Sequence, residues 1–223
     1  MGQAIGDLLP SAIGVALSPV PIIAVILMLG TPQARSNGPA FALGWVIGLI
    51  VVSVIVILLA SDADDTDSGT STAVDVIKLL IGVLFLLMAV KQWQARPKPG
   101  VEPEMPKWMG AIDRFTAGKS FGLGILLSGV NPKNLALTFA AAASIARAGL
   151  SGGESAIAVA IFVIIGSLTV VGPVLYYLFV PSSAGLLGEI KQFMSAHNAV
   201  IMFVILLVLG GKLLGNGIAG LSD

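Results

Sequence analysis

The sequence predicts an all-α membrane protein with six transmembrane helices, built as two inverted three-helix repeats with broken first and fourth helices. Three observations support this fold class: an apolar composition, six apolar segments of spanning length, and similar helix-breaking motifs in the two halves. The chain of 223 residues is 56% hydrophobic and only 11% charged, whereas a soluble domain carries about 25% charged residues. Most of the chain is therefore expected to lie in a membrane.

Each apolar segment has about 20 residues or more, the length that a helix needs to cross the hydrocarbon layer. The segments are residues 5–29, 41–60, 74–93, 121–145, 156–180 and 199–218. A connection rich in proline and basic residues separates the third segment from the fourth. It divides the chain into a first repeat (1–94), a cytoplasmic linker that is stiff and extended rather than packed (95–120), and a second repeat (121–223).

The basic residues predict the orientation. Eight of them flank the first, third and fifth connections: Arg35, Lys91, Arg96, Lys98, Lys107, Arg114, Lys119 and Lys191. Three belong to the opposite side: Lys78, Arg147 and Lys212. Because cytoplasmic loops are enriched in Lys and Arg, we expect a multi-pass protein of the cytoplasmic membrane with both termini outside the cytoplasm.

The two halves share a short pattern. Residues 14–21 (GVALSPVP) align with residues 124–131 (GILLSGVN) at one constant offset, with Gly, Leu, Ser and Val identical. Three helices per half force the second copy to run inverted, which is the construction of many secondary transporters. Chance similarity between helices rich in Leu and Gly is the alternative.

The first break is predicted at Ser18, Pro19 and Pro21, about 13 positions into the first segment. Two prolines within three residues free backbone carbonyls that a continuous helix would use. In lipid such carbonyls need polar partners or a wet cavity. These residues are therefore candidates for a substrate-binding or coupling site, with a packing kink as the alternative.

The second break is predicted at Ser128, Asn131, Pro132, Lys133 and Asn134. Lys133 lies near the middle of its segment, where a charged side chain costs at least about 2.5–3.5 kcal/mol on insertion scales. Two breaks at similar depth would face each other, and their helix N-termini and Lys133 would favour an anionic group. Alternatively, Lys133 carries a proton or bonds to a freed carbonyl in a structural kink.

Two further features of the spans bear on this site. The acids within the segments, Asp7 and Asp75, lie near outer ends, so neither is expected to neutralise Lys133. Thr169 and Pro173, next to Gly172, predict a third break that could line a cavity.

Residues 181–198 carry an amphipathic run that predicts a short interfacial helix on the inner face.

Several functions are not expected. The sequence has no cysteine and one histidine, His197, so we expect neither a metal site nor another cofactor. The formal net charge of zero provides no basic footprint for nucleic acid. A phosphate-binding glycine loop, a nucleophile elbow and a zinc-binding helix motif are all missing, and we do not expect an enzyme.

The proline motif around Pro19 and Pro21, together with the triplet Asn131, Pro132 and Lys133, resembles the lysine-exporter (LysE) superfamily. That resemblance implies six helices and places functional weight on these five residues. Amino-acid exporters of this kind typically show Pro-Gly-Pro at the first motif. Here valine stands between the prolines, which argues against an amino-acid substrate.

Within that superfamily the chain is most similar to the peptidoglycolipid-addressing (GAP, or sulfolipid-addressing) family of actinobacteria. The segment from Ser18 to Ile22, the Asn37-Gly38 pair leading to Gly44-Trp45, and a glycine-rich last helix carry this resemblance. It implies export of a complex envelope lipid or glycolipid, usually with partner machinery.

The expected function is therefore export of a cell-envelope lipid, glycolipid or lipid-linked anionic glycan, coupled to the proton-motive force. A small-solute exporter for amino acids or cations is one alternative, and a non-transporting scaffold of a lipid-export complex is another. The expected partners are the membrane lipid itself, envelope-lipid export machinery and further copies of the chain, but no nucleic acid.

Overall fold

In a computed structural model, which describes residues 1–63, 69–96 and 107–222, the chain forms a bundle of helices. The α-helices of these residues are α1 Gly2–Ala16, α2 Pro19–Leu29, α3 Ala34–Ala63, α4 Gly69–Gln94, α5 Ala117–Ile125, α6 Pro132–Arg147, α7 Gly152–Phe179 and α8 Ser183–Ser222. A 3₁₀ helix, Lys107–Arg114, precedes α5, and a π-helical turn, Leu126–Val130, separates α5 from α6.

Four of these helices are long and apolar enough to cross a membrane: Ala34–Leu59, Asp75–Gln94, Gly152–Phe179 and Ser183–Leu221. The pair α1 and α2, bent by 49°, forms a fifth candidate. The predicted fourth span corresponds to α5, the π-helical turn and α6, each too short to qualify alone. The protein is therefore a multi-pass helical membrane protein, and the first predicted span is broken as expected.

Helix packing brings the two halves together. α4 packs along α8, α3 packs on α5 and α6, and α1 packs on α6 and α7. Trp45 and Phe41 of α3 and Phe162 of α7 are fully buried between these helices. The indole N–H of Trp45 donates to the carbonyl of Gly166 in α7, at 3.3 Å. The second and fifth predicted spans therefore lie against each other in the core.

Glycines allow α3 and α5 to approach closely. A Cβ atom at Gly44 of α3 would collide with the backbone of Phe121, and one at Gly124 of α5 would collide with the carbonyl of Phe41. Small residues let membrane helices bring their backbones into contact. Dispersion forces at such contacts stabilise helix association in lipid, where the hydrophobic effect does not act between helices. This contact fixes the position of the π-helical turn that follows α5.

The end of the predicted linker differs from the expectation. Residues 97–106 lie outside the described part of the chain, but Lys107–Arg114 forms a 3₁₀ helix instead of an extended segment. Ile112 is buried there, and the Nδ2 group of Asn37 donates to the carbonyl of Phe115 at 2.9 Å. An apolar side chain and a buried amide donor anchor this stretch to the bundle.

Two predictions for the second half are wrong. The third break is not formed, because α7 continues through Pro173 from Gly152 to Phe179. Packed neighbouring helices tolerate a proline within a membrane helix. Residues 181–198 do not form a separate interfacial helix, because α8 runs without interruption from Ser183 to Ser222. At about 1.5 Å per residue, its 40 residues extend well beyond a hydrocarbon layer of about 30 Å.

Candidate functional site

The first break lies between α1 and α2. α1 ends at Ala16, Leu17 caps it, and Ser18 has extended backbone angles of φ −87° and ψ 104°. α2 then begins at Pro19, the first helical position, where a missing N–H costs nothing. The proline thus starts a new helix, and the last turn of α1 loses backbone partners.

Side chains from α6, α7 and the break itself bond to carbonyls of that last turn. The bonds are Lys133 Nζ to Gly14 O (2.7 Å), Ser18 Oγ to Val15 O (2.7 Å) and Thr169 Oγ1 to Ala16 O. Val15 has lost its helical partner because residue 19 is proline. Polar side chains therefore satisfy these three carbonyls, as a backbone in lipid requires.

The second break is a π-helical turn followed by a new helix. The Oδ1 atom of Asn131 accepts a hydrogen bond from the N–H of Lys133 at 3.1 Å and caps α6. Pro132 is the first residue of α6, in the same position as the proline that begins α2. The Nδ2 group of Asn134 donates to the carbonyl of Leu127 at 2.8 Å. Single π-helical turns occur frequently at functional sites.

The two breaks are in contact, as their similar depth in the sequence predicted. Lys133 Nζ donates to Ser18 Oγ at 2.6 Å, and Ser18 Oγ lies 2.9 Å from Asn134 Oδ1. All three side chains are buried, and Lys133 is only 3% exposed. The ammonium group therefore joins the second break to two oxygens of the first.

No carboxylate neutralises Lys133 within the described residues. The ion pairs found there both involve Asp75, which contacts Lys78 at 3.2 Å and Arg147 at 2.9 Å. Asp7 is exposed, and its backbone carbonyl accepts a bond from Lys212. The expectation that neither acid serves Lys133 is therefore confirmed. A buried ammonium held by neutral oxygens is costly and is suited to a partner that brings negative charge.

The other predicted residues lie around this contact. Ser128 is buried in the π-helical turn, donates to the carbonyl of Ile125 at 3.3 Å, and lies against Gly48 of α3. Pro21 is buried in the first turn of α2. Thr169 reaches the first break, whereas Pro173 lies one turn further along α7. Roles in binding or coupling for these residues stay predictions.

Sequence reasoning included a bond from Lys133 to a freed carbonyl as an alternative, but it did not identify the two carbonyls that accept bonds at the site. The carbonyl of Gly14 accepts from Lys133, although glycine offers no side chain that could signal such a role. Its only signal is position, four residues before Ser18, which is one helical turn before the break. The partner of Thr169, the carbonyl of Ala16, was also missed, because a carbonyl becomes available through backbone conformation.

Comparison with known proteins identifies the family. The family model described as Sap, sulfolipid-1-addressing protein, matches residues 8–219 and so covers both breaks and all spans but the outermost residues. Neither a curated protein nor a solved structure matches the chain. The match confirms the expected addressing family, while membership of the wider lysine-exporter superfamily stays a prediction. The chain belongs to the sulfolipid-1-addressing protein family.

Proposed function

We propose that the protein exports an anionic cell-envelope lipid, glycolipid or lipid-linked glycan across the cytoplasmic membrane, with Lys133 as the group that attracts the anion. One observation carries this proposal: the buried amino group of Lys133 lies between two helix breaks and is held by neutral oxygens. The family description names a sulfolipid, a lipid whose headgroup carries an anionic sulfur oxyacid.

An anionic headgroup would displace weaker acceptors of Lys133. In the structure those acceptors are the carbonyl of Gly14 and the hydroxyl of Ser18. A charged acceptor forms a stronger hydrogen bond with an ammonium than a neutral oxygen does. The N-terminus of α6, which begins one residue before Lys133, adds partial positive charge at the same point. Binding would therefore loosen the contact between the breaks, and that loosening is the proposed transport movement.

The proposal includes coupling to the proton-motive force. Lysine can release its proton when it is held in a dry site, whereas arginine cannot. Lys133 would be protonated while the anion moves outward and neutral while the empty protein resets. This cycle would couple proton movement to export. This role belongs to Lys133 alone among the residues of the two breaks, since the others do not ionise.

Packing supports the two-repeat construction within this proposal. The contact of α3 with α5 and α6 has a counterpart when the halves are exchanged, namely the contact of α7 with α1 and α2. The Ser18 hydroxyl donates to Val15, three residues back, and Ser128 donates to Ile125, also three residues back. The two bonds occur at the same sequence offset as the repeat, so six inverted passes are the proposed architecture.

An apolar groove supports a lipid over a small solute. It lies between α3 and α7 and has a volume of about 530 Å³. Its walls are almost entirely apolar and include Ile50, Val54, Leu58, Val159 and Ile164. Acyl chains would be stabilised along such a groove, whereas a free amino acid would not, because its two charged groups would find no partner there.

Charge and packing together suggest the orientation. Lys78, Arg147 and Lys212 line one cavity, while Lys191 lines another at the opposite end of the bundle. The proposed orientation places the first cavity outside the cytoplasm. Since the chain has no cysteine, single cysteines at Asn216 and Gln192 can test it. Only the Asn216 site should react with an impermeant maleimide on intact cells, and reaction of only the Gln192 site would reverse the orientation.

Reconstitution tests the function directly. The purified protein is placed in phosphatidylcholine vesicles that contain a fluorescent sulfated galactolipid, and a chemical quencher reports how fast the lipid changes leaflet. Export predicts movement of the sulfated lipid well above that of the neutral galactolipid without the sulfate. Equal rates for both lipids, or no movement with active uptake of lysine, would contradict the proposal. No movement of any substrate would favour a scaffold.

A further inference from the structure

The apolar groove between α3 and α7 lies in one half of the bundle. Its α3 wall falls within residues 50–58, in the second half of that helix, and its α7 wall falls within residues 155–164, in the first half of α7. Both walls therefore belong to the half that the loop charges assign to the outside. At about 1.5 Å per residue the groove is ~12 Å long, which is most of one leaflet in a hydrocarbon layer of about 30 Å.

At their other ends the same two helices are in contact. The indole N–H of Trp45, a fully buried side chain, donates to the carbonyl of Gly166. Nearer the end assigned to the cytoplasm, a Cβ atom added to Gly38 would lie 3.6 Å from a methyl group of Val174. α3 and α7 therefore touch in the inner half of the membrane and leave a groove between them in the outer half.

The groove has the polarity of a lipid. Ser155 alone among the described lining residues has a polar side chain, and it lies at the outer end, in the first turn of α7. The adjoining capping box of Ser151 and Glu154 places further polar side chains at this level. Toward the midplane the walls are apolar, and Ile164 keeps 62% of its surface exposed. An acyl chain whose polar end lies at the outer surface matches this order.

The inner end of the groove lies beside the first helix break. Ile164 lines this end, and a Cβ atom added to Gly166, two residues further along α7, would lie 3.3 Å from the side chain of Val15. The carbonyl of Val15 accepts the hydrogen bond of Ser18. The groove therefore runs from the outer surface to within a single layer of side chains of the break that holds Lys133.

We infer that this groove is the exit site of the transported lipid, which holds one acyl chain in the outer leaflet after the headgroup has left Lys133. The inference rests on the proposed function and adds the leaflet and the step that the groove serves. Because α3 and α7 are in contact in the inner half, a chain in the groove has its open path into the outer leaflet. The apolar walls suit the chain rather than the headgroup, since a charged group would find no hydrogen-bond partner there.

Filling the groove tests the inference in the full chain. Ala160 lines the groove and is exposed, so Ala160→Trp places an indole in the space of the acyl chain without inserting it into the core. In the vesicle assay this variant should slow leaflet exchange of a long-chain fluorescent sulfated galactolipid at least about tenfold, a barrier increase of about 1.4 kcal/mol. Ala156→Trp fills the outer part of the same groove and replaces Ala160→Trp if that variant does not fold.

Two controls separate the groove from general damage. Ile157, in the same part of α7, is 54% exposed and lies outside the groove lining, and Ile157→Trp should change the rate less than about twofold. A sulfated galactolipid whose acyl chain is too short to fill the groove, with the fluorophore on the sugar of both lipids, should be moved by Ala160→Trp within about twofold of the wild-type rate. Wild-type movement of the long-chain lipid by Ala160→Trp, equal slowing of both lipids, or equal slowing by Ile157→Trp would overturn the inference.

Lipid binding distinguishes exit from entry. The headgroup should still reach Lys133 when the groove is filled, so the long-chain sulfated galactolipid should raise the thermal unfolding midpoint of Ala160→Trp as much as that of wild type, because a ligand stabilises the folded state that binds it. If the lipid no longer stabilises Ala160→Trp, the groove is needed for binding and the assignment to exit is wrong.

The Lys133→Met variant keeps the two proposals distinct. It should lose both the stabilisation by the sulfated lipid and the movement of that lipid between leaflets. If Lys133→Met stops transport and Ala160→Trp moves the long-chain lipid normally, the inference fails and the proposed function stands. If Lys133→Met transports normally, the proposed function fails, and the inference fails with it.

Discussion

The two helix breaks are built differently although their residues align at one constant offset in the sequences of the two halves. The first break, at Ser18, offers mainly acceptors, because a proline leaves the carbonyls of the preceding turn without backbone partners. The second break offers donors, the ammonium of Lys133 and the amide of Asn134. Each break alone would leave polar groups unsatisfied in lipid, so the breaks depend on each other and function as one unit.

This difference also indicates where a substrate would act. The two breaks align in sequence but form an asymmetric site, in which the only ionisable side chain of the two breaks comes from the second half. An anion that binds Lys133 would remove a partner from the carbonyl of Gly14. The first break would then respond to events at the second, which makes the contact between them the proposed moving part.

The largest contrast is expected at the two equivalent glycines, Gly14 and Gly124. A Cβ atom at Gly124 would collide with the backbone of Phe41, whereas one at Gly14 would meet the methyl ends of Leu137 and Leu209. Gly124→Ala should destabilise the protein by about 3 kcal/mol, the upper range for overpacking. Gly14→Ala should cost clearly less, because leucine side chains can shift. Thermal unfolding in detergent measures both, and equal midpoints would contradict the assigned packing.

A smaller contrast is expected at the two equivalent serines. Ser18→Ala removes the acceptor of Lys133 and the donor to Val15, and should destabilise the protein by about 2 kcal/mol. Ser128→Ala removes one long bond of 3.3 Å to Ile125 and should cost about 0.5 kcal/mol. Both variants are compared with wild type by thermal unfolding in detergent. If Ser128→Ala loses more stability than Ser18→Ala, the stronger dependence on a serine belongs to the second break and the assigned contacts are contradicted.

The smallest contrast is expected between two threonines, of which Thr169 supports the first break from α7. Thr169→Val keeps the shape but leaves the carbonyl of Ala16 without its side-chain donor, at a cost of about 1 kcal/mol. Thr138→Val is the matched control, since the buried Thr138 hydroxyl has no hydrogen-bond partner within the described residues. That variant should be neutral or stabilising. If both variants lower the unfolding midpoint equally, the bond from Thr169 does not support the break.

The sequence predicted the parts of the site that depend on residue type. Prolines at positions 19 and 132 and a lysine in an apolar segment were sufficient to locate both breaks, and their similar depth predicted that they meet. The carbonyl of Gly14 could not be identified as a ligand, because its availability depends on where α1 ends. The π-helical turn before Asn131 was missed for the same reason, since one extra residue per turn has no compositional signal.

Longer-range packing decided the elements that sequence reasoning assigned wrongly. Pro173 was expected to break its helix, but α7 packs on one face against α1, α2 and α3 and stays continuous. The amphipathic run before residue 199 was expected to form its own helix, yet it joins the following span in α8. The end of the linker was expected to stay extended, but Ile112 and the amide of Asn37 anchor it. The outcomes at Pro173 and at the end of the linker depend on partners distant in sequence.

Replacement of Lys133 tests the central claim most directly. In Lys133→Met and Lys133→Arg variants reconstituted at equal protein level, leaflet exchange of a fluorescent sulfated galactolipid is measured beside thermal unfolding. The account predicts that Lys133→Met unfolds at or above the wild-type midpoint, because removal of the buried charge outweighs the loss of the donor to the carbonyl of Gly14. It also predicts that this variant moves no lipid. Lys133→Arg should move lipid if charge alone is needed and none if a proton must be released. Wild-type movement of the sulfated lipid by Lys133→Met would contradict the account and leave Lys133 a structural partner of the first break.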